Sequence, residues 1–273
     1  MLAAMIVFAS DLHLGITTES ALVERFEPVA ALEPRALVLV GDIAESPAAF
    51  RRALRLLADV APLRGYVPGN HDIWSRGGVP SALLLRDVLP TIAAEEGWEA
   101  LEGRIWRLDD VAVVATMGWY DYSAIGASHR HLSAQEIARQ KRAHVNDATQ
   151  IDWPWSDVEV AARCREGVER RLRQLQADSG VRRVLVASHV PAFEEQMSRM
   201  PDSPRWELSN AYFGHLTLGE VIRRFEKVSD VVSGHTHFAR DAVVPRSGMA
   251  PLRVQVIGSE YRAPAFVALD ETR

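Results

Sequence analysis

One cysteine, Cys164, occurs in 273 residues. That excludes an intramolecular disulfide and a sulfur-rich zinc site, so any metal has to be held by His, Asp or Asn. Long apolar runs are missing as well: the aliphatic stretches are short and broken by charge, and none nears the roughly 20 residues of a membrane span. The opening Met1-Leu2-Ala3-Ala4-Met5 lacks the basic segment of a secretory signal, which sets the expectation of a cytoplasmic protein with no membrane partner. Positive charge is not in excess either. A formal net charge of −5 gives no footprint for phosphate contacts, so nucleic acid is a disfavoured partner rather than an excluded one. No Pro/Ser/Gly-rich linker, repeat or low-complexity tract divides the chain. The expectation is a single domain over 1–273, long enough to bury a substantial core; the sequence sets no oligomeric state.

What is present alternates. An apolar run to Ala9, a helical stretch around Glu19 to Leu32 and the run Ala36 to Val40 read as a βαβ unit, and a second follows through Pro47 to Ala61 and Gly65 to Val67. Ser81 to Glu96 is helix-like. Strand candidates follow at Trp98 to Leu101, Arg104 to Leu108 and Val111 to Ala115, with Asp109-Asp110 as a hairpin turn. From Ser133 to Asp178 the chain is charged and helix-forming, interrupted at Trp153-Pro154-Trp155, and reads as a helical insertion packed on the core or over a site. Strands return at Val184 to Ala187, Val231 to Ser233, Leu252 to Ile257 and Ala265 to Leu269. Two mixed sheets packed face to face fit this order.

Short polar motifs sit where these strands end: Asp11-Leu12-His13, Gly41-Asp42, Gly69-Asn70-His71-Asp72, a lone His189, and Gly234-His235-Thr236-His237. The crevice beyond the carboxyl ends of strands is where α/β proteins collect ligands. In an extended segment side chains at i and i+2 share a side, so Asp11 and His13 are expected to converge on one ion, and His235 and His237 have the same spacing. Asp42 has two carboxylate oxygens with which to bridge two ions; Asn70 offers a neutral amide oxygen. This mixture of nitrogen and oxygen donors suits Mn, Fe or Zn better than calcium. Two divalent ions, two carboxylates and a bridging hydroxide sum to about +1, a centre that attracts a phosphoryl group.

With those residues in place, the chain resembles the calcineurin-like metallophosphoesterases, whose D-x-H, G-D, G-N-H-D/E, lone H and G-H-x-H motifs are all filled here. The likeness runs from about Ile6 to the terminal strands and is least specific from Trp119 to Gly180. It implies an α/β fold, a four-layer α/β/β/α sandwich of two mixed sheets, with a helical insertion at about 119–180. It also implies two divalent transition-metal ions bridged by Asp42, with Mn favoured for activity. One ion is then held by Asp11, His13 and His237, the other by Asn70, His189 and His235. His71 is catalytic rather than a ligand, on the leaving-group side, and Asp72 orients its imidazole or supports a nearby loop. The implied activity is hydrolysis of a phosphoester substrate, a phosphodiester ahead of a phosphomonoester, by in-line attack of a metal-bridged hydroxide. A small nucleotide diester is favoured over duplex DNA, and a phosphoprotein stays open as a monoester substrate. A non-catalytic scaffold of the same fold is the remaining alternative, disfavoured because every ligand position is filled.

Other polar and aromatic residues have a bland and a sharp reading. The segment Gly118 to Ser123, with Trp119 and Tyr120 as candidate substrate contacts, either forms a pocket wall or, through Trp119 and Tyr122, pins the insertion to the core. Arg199 and Arg205 are candidate phosphate contacts against ordinary exposed arginines, and His215 is a substrate contact or a loop and capping residue. Trp74, Trp153, Trp155 and Trp206 either stack on a base or ring of a substrate or take buried packing roles, the latter preferred. His129 and His131 are expected in a solvated loop and His144 on a solvent-facing helix. Arg163, Arg165, Arg170, Arg171 and Arg173 lie among glutamates at helical spacing, as on a solvated helix.

Overall fold

Short runs of Val, Ile, Leu and Ala become strands because, in such runs, side chains on both faces meet apolar partners. In the computed structural model, which describes residues 5–271, they are β1 (Met5–Ser10), β2 (Ala36–Val40), β3 (Leu63–Val67), β4 (Glu99–Ala100), β5 (Ile105–Leu108), β6 (Val111–Thr116), β7 (Arg183–Ser188), β8 (Val228–Ser233), β9 (Arg240–Arg246), β10 (Met249–Val256) and β11 (Ala265–Asp270). Residues 1–4, on which most of the signal-segment argument rests, lie outside the described range. One sheet has the order β11-β1-β2-β3-β4 and the other β5-β6-β7-β8-β10-β9. The inner pairings β1-β2-β3 and β6-β7-β8-β10 are parallel, whereas β11, β5 and β9 join antiparallel. Both sheets are mixed.

The period of two decides what each strand residue meets. Ile6, Phe8, Val38 and Val40 face Val113, Ala115, Leu185 and Ala187 between the sheets. Their neighbours Val7, Ala9, Leu37 and Leu39 pack outward with Leu22, Phe26, Phe50 and Leu54, from the helices Glu19–Ala30 and Pro47–Leu56. Ala112, Val114, Val184 and Val186 pack outward with Val168, Leu172, Leu218 and Ile222, from the helices Asp157–Ala177 and Leu216–Ile222. The result is the α/β/β/α sandwich with its helical insertion.

Local chemistry sets the helix starts. Thr18 and Ser46 accept from backbone N–H groups three residues on, with Pro47 at the first turn, and Ser156 forms a capping box with Glu159. Within the expected helix Ser81 to Glu96, residues Leu84–Val88 form a wide π turn, directly before Pro90, which has no N–H to donate to Arg86. Strand β9 escapes a reading based on apolar runs because Arg240, Asp241 and Arg246 are charged and it contains Pro245, a combination tolerated at a sheet edge. Among the described residues no helix is long and apolar enough to cross a membrane.

Candidate metal centre

Each motif begins where a central strand stops: after Ser10 in β1, Val40 in β2, Val67 in β3, Ser188 in β7 and Ser233 in β8. The loops then lock together, Asp11 N donating to Gly41 O at 3.0 Å and His13 N to Asp42 O at 2.9 Å. The ligands converge differently from the extended geometry expected of Asp11-x-His13. Asp11, His13, Asp42, His235 and His237 have φ of 56°, 44°, 51°, 68° and 60°, so left-handed turns past the strand ends, rather than the pleat of a strand, aim them. Such conformations cost on the order of 1–2 kcal/mol each for non-glycine residues and persist where surrounding contacts over-determine them. Their clustering marks this crevice as the functional region. Gly41 (φ 84°) and Gly69 make the close approach feasible: a Cβ on the first would strike the His189 ring, and on the second the Asp42 carboxylate.

Side chains from five loops meet around Asp42. Asp11, His13 and His237 form one donor group, with His13 Nε2 3.3 Å from His237 Nε2 and His237 Nε2 3.4 Å from Asp11 Oδ1. Asp42, His189 and His235 form another, and Asn70 Oδ1 lies 3.2 Å from His189 Nε2 and 3.1 Å from His235 Nδ1. Asp42 Oδ2 is 3.7 Å from His13 Nε2, and its Oδ1 is 3.4 Å from His189 Nε2. A further grouping of His13, Asp42 and His71 overlaps the first. Metal bonds of about 2.1 Å arranged around one first-row ion separate adjacent donors by about 3.0–3.4 Å. The spacings of 3.1–3.4 Å fit that requirement, with His13 to Asp42 wider at 3.7 Å, and the donor set holds no sulfur, so the residues suit divalent cations.

The electrostatics point the same way. Burial alone would raise the carboxyls of Asp42 and Asp11, yet surrounding histidines hold Asp42 well below its ordinary value and Asp11 below it too. Against burial, which alone would lower it, Asp42 and Asp11 raise His189 to about 9. His71 and His237 are also raised against burial, the former by Asp42 and Glu45, the latter by Asp11. Burial, then repulsion from His189, lowers His235 to about 4. The raised imidazoles and the lowered carboxyls offset one another's charge, the same compensation that a bound cation would supply.

Around the donors stand groups that carry no motif signal. Glu45 Oε1 is 2.9 Å from His13 Nδ1 and 3.0 Å from His71 Nδ1, and Arg76 pairs with its other oxygen. One carboxylate therefore orients two imidazoles, and those neighbours hold it at about 2 against the effect of burial. Asp72 does not touch the His71 ring. It accepts from the backbone N–H groups of Ile43, Ala44 and Gly69 at 2.8–2.9 Å, so of the two roles expected for it, loop support is the one its contacts describe. Burial and the nearby Asp42 charge raise its carboxyl to about 7. The His71 ring stacks on Trp74, centroids 3.7 Å apart, and its backbone N–H donates to Asp42 Oδ1 at 2.9 Å. A cavity of about 240 Å³ opens over the donors, walled by Trp74, Val145, Phe213 and Tyr261 and by the polar side chains of His144, Asn146 and Asp147.

The proposed substrate contacts lie elsewhere. Trp119 and Tyr120 are 0 % exposed; Trp119 donates to Asp157 at 2.8 Å and Tyr120 to Asp147 at 3.0 Å. They pin the insertion to the sheet ends, as does Tyr122 through Asp157. Arg199 is held by both Glu194 oxygens and Ala124 O, and Arg205 reaches Ala143 O. His215 is buried against Gly118 O ahead of the helix Leu216–Ile222. None of Trp119, Tyr120, Arg199 and His215 lines the cavity: Trp119, Tyr120 and His215 are buried and Arg199 is held by its partners, which speaks against their expected role as substrate contacts. His144 is corrected in the other direction: it is half-buried, 2.8 Å from Ser209 Oγ, and on the cavity wall. Arg171 is buried rather than solvated, donating to Gly167 O, Arg104 O and Ala115 O. Helical spacing shows which side chains share a face but not which sheet the face meets.

A model of the calcineurin-like phosphoesterases matches residues 4–239 of the chain. The chain belongs to this family. Its donor clusters are those of a candidate metal-dependent phosphohydrolase. Solved structures share the fold. A phosphopantetheinyl hydrolase from Mycobacterium tuberculosis has 20% identity and a TM-score of 0.73, covering 97% of this chain and 96% of its own. A dimetal phosphatase from Danio rerio has 15% identity and a TM-score of 0.61, covering 98% and 93%. A purple acid phosphatase from yellow lupin seeds has 11% identity and a TM-score of 0.53, covering 99% of this chain and 46% of its own. No curated protein matches the chain in sequence.

Proposed function

We propose that the chain is a dinuclear metal-dependent phosphodiesterase. The observation that carries this reading is Asp42, whose two oxygens face different donor clusters, 3.7 Å from His13 and 3.4 Å from His189. Asp11, His13 and His237 would hold one ion and Asn70, His189 and His235 the other, with Asp42 between them; Mn, Fe and Zn all suit this set. When bound, such ions supply a hydroxide nucleophile at neutral pH and offset charge on the phosphoryl oxygens. His71 is not tied up as a ligand in this scheme. Its Nδ1 is occupied by Glu45, which leaves Nε2 to hold a proton for the departing alkoxide.

The cavity supports a diester over a monoester. Among the described residues lining it there is no Lys or Arg, the side chains that commonly grip a dianionic monoester. A diester carries one negative charge and a second substituent, for which Trp74, Val145, Phe213 and Tyr261 supply an apolar and aromatic wall. The same lining gives no track for a nucleic-acid backbone, so a small diester is the preferred substrate class. Phosphopantetheinyl esters join small nucleotide diesters in the first substrate panel because of the solved relative's activity.

The test is paired hydrolysis of bis-p-nitrophenyl phosphate and p-nitrophenyl phosphate by metal-stripped protein restored with Mn. Preference for the diester, lost in Asp42→Asn, is the expected result. Preference for the monoester overturns the diesterase reading, and two bound ions with turnover of neither ester or panel member favours the scaffold alternative.

A further inference from the structure

Asp147 belongs to no motif. It sits on the short helical turn Asp147–Gln150 of the insertion and is 2 % exposed. Its contacts are hydrogen-bond donors on three neutral side chains: Oδ1 accepts from Asn70 Nδ2 at 2.9 Å and from the Trp74 indole at 2.7 Å, and Oδ2 accepts from the Tyr120 hydroxyl at 3.0 Å. Each contact has a direction.

A terminal amide presents an oxygen at one end and a nitrogen at the other, and only its neighbours decide which end faces where. The Trp74 indole donates to Oδ1 of Asp147 and the Tyr120 hydroxyl to Oδ2, so both oxygens act as acceptors and the Asn70 nitrogen has to face Asp147. Its oxygen then faces His189 and His235, at 3.2 and 3.1 Å. Turned over, Asn70 would present N–H groups to the donor cluster, and an amide nitrogen bearing its hydrogens does not ligate a cation. The Trp74 indole fixed by the same oxygen lies flat against His71, with an interplanar angle of 28°. The Tyr120 hydroxyl, anchored beyond β6, holds the second oxygen and stops the carboxylate from rotating. With both oxygens taken by donors, Asp147 is placed to orient neighbours rather than to deliver a proton.

We propose that Asp147 is a positioning residue of the metal centre: it sets Asn70 with its oxygen toward the second donor cluster and thereby makes ion loading depend on the helical insertion. This rests on the reading of Asn70 as a ligand given under the proposed function. Support of metal ligands by an outer carboxylate commonly changes affinity by about 10–100-fold.

The test uses the full chain, stripped of metal by chelation and titrated with Mn by calorimetry, with ion content measured independently. Wild-type protein is expected to bind two ions. Asp147→Ala, checked for folding by circular dichroism, is expected to keep the first and to weaken the second by about 10–100-fold. Asp147→Asn retains an acceptor oxygen toward Asn70 and Trp74 and is expected to lose far less. Asp147→Ala protein that binds both ions like wild type overturns the proposal. So does Asp147→Asn weakened as much as Asp147→Ala, because charge rather than amide orientation would then be responsible. Should Asp147→Ala not fold, Asn70→Asp replaces it. That change sets two carboxylates against each other and is expected to weaken the second ion, and adding Asp147→Asn restores a directed hydrogen bond and should restore binding. A double variant no better than Asn70→Asp alone overturns the proposal. Wild-type protein that binds fewer than two ions instead removes the dinuclear reading beneath it, an outcome read without any variant.

Discussion

His71 is placed by contacts on three sides: Trp74 behind its ring, Glu45 at Nδ1 and Asp42 at its backbone N–H. Its Nε2 lies 4.0 Å from Asp42 Oδ2, at the edge of the donor clusters. If it serves the leaving group and holds no ion, His71→Ala removes a proton donor and leaves the centre loaded. The expected outcome is a fall in kcat of about 10²- to 10⁴-fold with Mn content unchanged, measured by diester hydrolysis beside elemental analysis. Loss of an ion with the activity would instead make His71 a ligand. This residue-scale logic was partly legible in the sequence. The Gly69-Asn70-His71-Asp72 run marks the place, but Glu45, whose carboxylate serves His13 and His71 together, becomes visible only when the loops after β1, β2 and β3 are brought side by side.

At the scale of elements, the loops carry the strain and Asp72 carries the loops. Its carboxylate ties the turn after β2, through Ile43 and Ala44, to the turn after β3, through Gly69. Asp72→Asn replaces one acceptor oxygen with an NH₂ group that faces a backbone donor, leaving a buried N–H without a partner. The expected loss is about 1–3 kcal/mol of stability, seen as a lower urea midpoint at unchanged slope. A midpoint equal to wild type would show that water or loop movement replaces the contact. The insertion was legible as charged, helix-forming sequence, and in the structure Ser133 and Ser156 start its helices with capping boxes to the glutamates three residues on. Its attachment was not legible: the sequence alone does not place Asp147 and Asp157 against Tyr120, Trp119 and Tyr122.

For the whole molecule, the centre concentrates buried charge where β1, β2, β3, β7 and β8 end. Mn is expected to raise the Tm of metal-stripped protein, by an amount that grows with ion concentration, since a ligand at 100 times its Kd adds about 2.7 kcal/mol. An unchanged Tm would mean that the ions are not held in this crevice. The stripped protein also has a pH signature. A histidine whose folded value is raised contributes stability that is fully present below its ordinary value, about 6.5, and is lost as pH rises through the folded value. His189, held at about 9, and the raised His71 and His237 all act in this sense. Stripped protein is therefore expected to lose stability between pH 6.5 and about 9, and Mn-loaded protein to lose less, because the ligands are then unprotonated in the folded state. Thermal melts across that range check both arms.

The sequence by itself determined the family motifs and the strand ends on which they sit, because donor identity and short apolar runs are local properties. Tertiary structure alone decided which side chains surround the donors: Glu45 and Asp147 at the ligands, Trp74 behind His71, Arg171 buried under the sheet, and Trp119 and Tyr120 sealed away from the cavity. Those outcomes depend on contacts between segments distant along the chain, where burial and hydrogen-bond partners are set by packing rather than by spacing.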